Sequence, residues 1–265
     1  MADSVEVIEA REKTNDREFF KENNIDLELL KKAINFLIYN SDGIRTRIDE
    51  SDVSPRQYVE EHSYENIEIF NLKESEYKSV LEDWMKIHFS FSDKLYDTRI
   101  VKLENRTGAF FKLHHVICDV WGVTIIASKI VEYYYKLLNN EEISKEDIPS
   151  FFKVIDKEEE YLKSDRYKRD EAFWQEKYEK KPSFVTMSPN KKSDFNVEAN
   201  RSSFAVPVSD TEAMLKYCSD NGISPAVLLE AITALYAARI NNADSVTLCS
   251  LVLNRNGIEE KKTIG

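Results

Sequence analysis

Apolar residues recur at helical spacing across 26–39, where Leu27, Leu30, Ala33, Ile34, Leu37 and Ile38 share one face. Asp26 supplies an N-cap, and Ser41-Asp42-Gly43 stops the helix. Ile44-Arg45-Thr46-Arg47-Ile48 then alternates as a strand does. A second helix is expected over 75–89. Residues 98–103 and 109–115 read as two strands joined by a turn at Glu104-Asn105-Arg106-Thr107-Gly108, a hairpin signature. From Trp121 to Leu138 the period returns to that of a helix, with Val123, Ile126, Ile130, Val131, Tyr134, Leu137 and Leu138 on one side.

The second half of the chain is more polar at first. Residues 150–180 are highly charged and rich in aromatic side chains, and are expected to be helical, the second helix lying around 168–178. Lys180-Lys181-Pro182 and the polar stretch 188–194 read as a linker, which divides the chain into residues 1–180 and 181–265. Beyond it the pattern gives a strand at 202–208, helices at 210–221 and 224–240, and a buried strand at 245–253. Gly222 is a suitable residue just past a helix end, and Ser224-Pro225 a suitable helix start. Strands and helices do not alternate regularly, which disfavours a barrel or dinucleotide-binding fold and favours an α/β sandwich of packed sheet and helices. Lys262-Thr263-Ile264-Gly265 reads as the entry to a further strand, so a truncated domain is expected.

Composition narrows the function. The 265 residues carry a formal net charge of −11 with 42% hydrophobic residues. A real core is expected, but neither nucleic acid nor an anionic membrane as main partner, because phosphate binding needs a basic face. No apolar run reaches the roughly 20 residues of a bilayer span, and the acidic N-terminus lacks the features of a signal peptide. Cys118, Cys218 and Cys249 are odd in number and far apart, which suits neither a disulfide framework nor a zinc site, and points to the cytoplasm. No glycine-rich phosphate loop is present.

The residues with most chemical content are His114-His115-Val116-Ile117-Cys118-Asp119, followed by Val120-Trp121-Gly122. Two of four histidines stand where a strand is about to become a helix. Adjacent strand residues point to opposite faces, so one imidazole can pack while the other faces a cleft. His115 in the cleft would accept a proton from an attacking amine or alcohol, or steer its lone pair; a histidine at a strand end also serves simply to cap a turn. Consecutive strand residues diverge, which makes His114, His115 and Asp119 poor metal geometry, and no metal is expected. No GxSxG elbow is present. Cys118 reads better as a small buried apolar residue than as a nucleophile.

His114 to Asp119 resembles the HHxxxDG signature of the condensation domains of nonribosomal peptide synthetases, members of the chloramphenicol-acetyltransferase-like acyltransferases. Residues 26–34 resemble the first core helix of that family, and Ile44-Arg45-Thr46 the centre of its RHExLRTxF motif. Asp165 to Trp174 resembles the segment closing its N-terminal lobe. Leu253-Asn254-Arg255-Asn256 and Thr263-Ile264-Gly265 resemble the stretch leading into its (I/V)GxFVNT motif. Three departures stand out: Val120 replaces the signature glycine, with Gly122 shortly after it; the opening SxAQxR motif is absent; and the chain stops where (I/V)GxFVNT begins.

The resemblance implies a two-lobe fold with the site in a tunnel between lobes, 1–180 forming the N-terminal lobe and 181–265 part of the C-terminal one. It implies amide formation between a donor thioester and an acceptor amine, both delivered on phosphopantetheine by upstream and downstream carrier proteins beside an adenylation domain, with no cofactor bound directly. His115 would be catalytic and His114 structural. Asp119 would pair with an arginine across the lobes, Arg255 being the candidate, otherwise a solvated turn residue; Arg45 would lie structurally beneath the site. Val120, Trp121 and Gly122 are candidate tunnel-lining residues, Trp121 alternatively packing. A stand-alone acyltransferase acting on an alcohol or amine, and an interaction module that has lost its chemistry, are the competing readings.

Overall fold

In chain order, the computed structural model begins with β1 (Val5–Glu9), α1 (Leu27–Asn40), the hairpin strands β2 (Thr46–Asp49) and β3 (Arg56–Val59), then β4 (Glu68–Asn71), α2 (Glu74–Met85), β5 (Tyr96–Lys102), β6 (Thr107–His114) and α3 (Val120–Leu138). The helices α4 (Phe152–Leu162), α5 (Asp165–Lys177), α6 (Val208–Asp220) and α7 (Pro225–Asn241) follow. The structure describes residues 5–9, 25–145, 147–182, 185–187 and 204–265. The expected linker at 188–194 lies outside them.

Contacts divide the chain into two units, Met1–Leu162 with Leu253–Gly265, and Lys163–Val252. The sequence placed its boundary at 180/181. The contact boundary falls between α4 and α5, and residues 253–265 return to the first unit because Thr263 and Ile264 are buried there.

In the first unit the sheet order is β1-β6-β5-β4, antiparallel except for the parallel β4/β5 pair, which α2 connects. Because β6 has strands on both sides and packed faces above and below, all eight of its residues are buried. Its alternate side chains divide between two cores. Ala109, Phe111 and Leu113 join Ile100 of β5 against α1 and α3, including Ile34, Leu37, Ile126 and Ile130. Phe110 joins Val101 and Leu103 against Leu81 and Trp84 of α2. Lys112 is carried inside by this arrangement. Its ammonium donates to the carbonyls of Trp84 (3.1 Å) and Ile87, and lies 4.7 Å from the Phe89 ring centroid. This takes up the carbonyl of Trp84 in the last turn of α2, which ends at Met85 rather than continuing to residue 89.

Several boundaries move for local reasons. Asp26 caps α1 as expected, accepting from the amides of Glu28 and Leu29. The strand expected from Ile44 begins at Thr46, since Ile44 N donates to Ser41 Oγ and Thr46 N to the Gly43 carbonyl in the intervening turn. The β5–β6 turn is closed by Leu103 N donating to the Arg106 carbonyl at 2.8 Å.

In the second unit α6 and α7 form a helix pair, and Ser224 caps α7 by accepting from Val227 N. Two expected strands do not form. Of 202–208, the first two residues lie outside the described ones; Phe204–Pro207 is not a strand, and the Pro207 carbonyl instead accepts from Asp210 and Thr211 at the start of α6. Residues 245–253 are neither strand nor buried: Leu251 is fully exposed and Val252 82% exposed. Apolar β-branched composition makes a strand only when a neighbour completes its hydrogen bonds, and none does so among the described residues. The expected strand at 262–265 is instead a 3₁₀ turn, Glu260–Lys262, followed by an extended tail.

Candidate active site

The site begins where β6 runs out. His114 is its last residue, 8% exposed, and the chain turns over residues 115–117 before α3 starts at Val120. His114 holds that turn. Its Nδ1 accepts from Val116 N at 3.1 Å, its carbonyl from Ile117 N at 3.1 Å, and its own amide donates to the Leu95 carbonyl at 2.8 Å. Phe89 and Phe91 pack edge-on against its ring, with centroids 6.4 and 5.2 Å away. An Nδ1 acceptor places the proton of the neutral ring on Nε2.

Beyond the strand end, His115 is exposed, and among the described residues no side chain hydrogen-bonds to it. Its neighbours on the turn anchor the loop instead: Ile117 and Cys118 are 3% and 4% exposed and belong to the main core. One imidazole is thus packed and committed, the other held at the surface by a turn that is itself fixed.

Asp119 caps α3. Its Oδ1 accepts from Gly122 N at 2.6 Å, and the carboxylate takes a two-point ion pair from Arg255, Nη2 to Oδ1 at 3.0 Å and Nε to Oδ2 at 3.4 Å. The remaining Arg255 donors reach the carbonyls of Glu260 (2.8 Å), Thr263 (2.6 Å) and Gly265 (2.6 Å). All five guanidinium N–H groups are therefore satisfied, on a side chain only 11% exposed. Arg255 is no solvated turn residue. The pair also differs from the expectation of a bridge between lobes, since both partners belong to the first unit.

The three following positions separate in role. Val120 is the first residue of α3, 60% exposed, with a negative φ, so a side chain there meets no backbone strain. Trp121 donates from its indole to the Lys261 carbonyl at 2.9 Å, tying α3 to the tail. At Gly122 a Cβ would stand 2.6 Å from Cys118 Sγ and 3.3 Å from Asp119 Oδ1, so it is here that the first turn of α3 needs a glycine. The same logic applies at Gly43, where a Cβ would run into the Ile264 carbonyl of the inserted tail.

Arg45 donates to the Ile38 carbonyl at 3.2 Å and the Glu60 carbonyl at 2.6 Å, which joins the end of α1 to the end of β3. Sequence reasoning missed its neighbour Arg47, 3% exposed, paired with Glu60 and 5.7 Å from the Tyr96 ring centroid. Strand alternation put Arg45 and Arg47 on one outer face, and nothing local marks the second as buried. It also missed Glu260, whose carboxylate accepts from Lys157 Nζ (2.8 Å) and from the amides of Gly257 (2.9 Å) and Asn256 (2.7 Å). The Lys157 hydrogen bond first, then the two amides, hold its pKa down at about 2.

The mixed sheet with its packed helices is similar in fold to solved condensation enzymes. The first condensation domain of the calcium-dependent antibiotic synthetase, in complex with a substrate analogue, superposes with a TM-score of 0.77 at 16% identity, over 99% of this chain and 61% of that one. VibH, a condensation enzyme of nonribosomal peptide synthesis, superposes with a TM-score of 0.68 at 18% identity, over 98% and 58%. The fold is accordingly the chloramphenicol-acetyltransferase-like one anticipated from the sequence. The family model described as Condensation domain matches residues 14–265, and the chain belongs to that family. Among curated relatives, surfactin synthase subunit 1 of Bacillus subtilis (strain 168) is 27% identical over 252 residues, covering 91% of this chain and 7% of that protein. The chain thus spans a small part of the synthetases it matches and about three fifths of the solved condensation domains.

Proposed function

We propose that this chain carries the histidine motif of a nonribosomal peptide synthetase condensation domain, with His115 as its catalytic residue. The observation that carries this reading is the contrast at the strand end: His115 is exposed, with no side chain hydrogen-bonded to it among the described residues, beside an Asp119–Arg255 pair that fixes the helix following it.

The acceptor's amine nitrogen attacks the donor's thioester carbonyl carbon. A C–N bond forms, the C–S bond breaks, and the proton lost by the amine passes by way of the His115 imidazole to the departing thiolate. A base in that position contributes about 10²–10⁴-fold, and holding the amine in line contributes further through proximity. His114 keeps the turn in shape without meeting substrate. Val120, exposed on the first turn of α3, presents its side chain where family members have none, and so narrows the space beside the reacting groups. Donor and acceptor arrive as phosphopantetheine thioesters on upstream and downstream carrier proteins, in the same module as an adenylation domain. No single helix among the described residues is long and apolar enough to cross a membrane, and the three free cysteines suit a cytoplasmic enzyme.

The test loads donor and acceptor carriers and follows the acceptor by intact mass spectrometry, using the synthetase polypeptide that carries this chain. His115→Ala runs in parallel. Condensed acyl chain with the parent and not with the variant is the expected result. Equal product from both, or no product from a folded parent across several substrate pairs, overturns the proposal.

A further inference from the structure

Away from the His115 turn, the outer face of α1 forms one wall of a recess of about 300 Å³. Phe36 and Tyr39 line it from the helix, and His62 and Tyr64 face them from the segment after β3. The Tyr39 and His62 rings lie 6.0 Å apart at 55°. Burial lowers the His62 pKa, and Arg45 and Lys94 act in the same sense against the opposing Glu65, so His62 enters the wall as a neutral ring.

The recess is built in advance of any ligand. Asn35, 4% exposed, pins the facing segment to the helix: its Nδ2 donates to the carbonyls of Lys31 (2.9 Å) and Glu65 (3.0 Å), and its Oδ1 accepts from Glu65 N at 2.7 Å. Two cations complete the lining. Lys32 is exposed on α1, and the Lys145 ammonium lies 5.8 Å from the Tyr39 ring centroid. Among the described residues no carboxylate lines the recess. Glu65 directs its own to Lys94 and to the Tyr96 hydroxyl. Glu141 and Glu142 border a neighbouring depression that Lys145 also lines, and among the described residues Lys145 forms no ion pair with either.

We propose that this recess binds a small aryl-alkyl carboxylate, its ring between Phe36, Tyr39 and Tyr64 and its carboxylate between Lys32 and Lys145. Aromatic walls with a few placed polar groups are the usual make-up of a small-molecule site, and the volume is at the small end of that range. The charge is set by Lys32 and Lys145, the two charged residues that line it among the described ones. A phosphate is disfavoured, because such groups are taken up by helix N-termini or backbone amide nests, whereas the α1 wall is the C-terminal half of a helix.

The experiment titrates 3-phenylpropanoate, 3-phenylpropan-1-ol and 3-phenylpropylammonium into the ¹⁵N-labelled chain, reading amide shifts by NMR. The acid is expected to shift resonances at 32–39, 62–64 and 145, with the alcohol weaker and the ammonium inert. The paired substitution Lys32→Gln and Lys145→Gln, both on solvent-facing side chains, is expected to weaken the acid about fivefold, in keeping with partly exposed ion pairs, while leaving the alcohol unchanged. Tyr39→Ala is expected to weaken acid and alcohol together. Equal binding of acid and alcohol, shifts confined to other regions, an unaffected lysine double variant, or no saturable shift up to millimolar acid each overturn the proposal.

Discussion

The carboxylate of Asp119 and the guanidinium of Arg255, 136 residues apart, meet at two points, 3.0 and 3.4 Å. Asp119 also caps α3 through Gly122 N, and Arg255 also gathers the carbonyls of Glu260, Thr263 and Gly265. The start of the helix after His115 and the inserted tail are therefore one hydrogen-bonded unit.

Removing either partner should loosen both elements. Asp119 is 45% exposed, so the full penalty of a broken buried pair does not apply. Loss of the cap adds to it, and Asp119→Ala is expected to cost about 1–3 kcal/mol. Arg255→Lys should behave nearly as Arg255→Ala, because an ammonium cannot reproduce a two-point pair and three carbonyl contacts. Urea unfolding of the single and double variants checks this: the double variant should cost clearly less than the sum of the singles.

His114 and His115 should separate cleanly. His114→Ala removes the acceptor for Val116 N and the ring packed against Phe89 and Phe91, and is expected to destabilise by about 2–4 kcal/mol. His115→Ala should change stability by less than about 0.5 kcal/mol, as for other exposed positions. On the proposed chemistry it should lower condensation by about 10²–10⁴-fold. Thermal melts alongside the carrier assay read both effects on one pair of variants.

The helical half of this pattern was legible because local signals agreed. Asp26, the apolar stripe of α1 and the stop at Ser41-Asp42-Gly43 all describe one helix, and that helix forms. That His114 packs while His115 is exposed follows from a similar local signal, since a strand end separates neighbours. Residues 245–253 were misread because a short, largely apolar run fits a buried strand, while the neighbouring strands it needs must come from elsewhere in the chain. Arg255 could be nominated through family resemblance, but no spacing rule connects it to Asp119. Lys112 and Arg47 were missed for a related reason: a charged side chain in a strand looks solvent-facing until the neighbouring strands, or the carbonyls of Trp84 and Ile87, show where its charge goes.

The tail should carry an acid-sensitive contribution. The Glu260 pKa is held at about 2 in the fold, against 4.5 for an unperturbed glutamate. A depressed carboxylate binds fewer protons in the folded than in the unfolded state. Its stabilisation is therefore complete above pH 4.5 and is lost as the pH falls from there toward about 2. Glu260→Gln should flatten the fall in unfolding free energy across that window and leave the slope at higher pH unchanged. Urea titrations at a series of pH values between those limits measure it; parallel curves for parent and variant would show that Glu260 titrates normally.

Val120 stands where the HHxxxDG signature carries its glycine, and Gly122 follows two positions on. Val120 sits at the exposed first position of α3 with an ordinary φ, so Val120→Gly relieves nothing and gives up helix propensity; a loss of about 0.5–1 kcal/mol is expected. At Gly122 the situation is reversed, because a Cβ would lie 2.6 Å from the Cys118 sulfur. Cys118 is 4% exposed in the main core and cannot swing aside without disturbing the turn that carries His115. Gly122→Ala is expected to cost about 1–3 kcal/mol through overpacking. Shortening the obstacle should undo this: Cys118→Ala with Gly122→Ala should recover most of that loss, although Cys118→Ala alone destabilises. Unfolding free energies of the four proteins form a closed cycle, and a coupling near zero would mean that the first turn of α3 does not rest on Cys118.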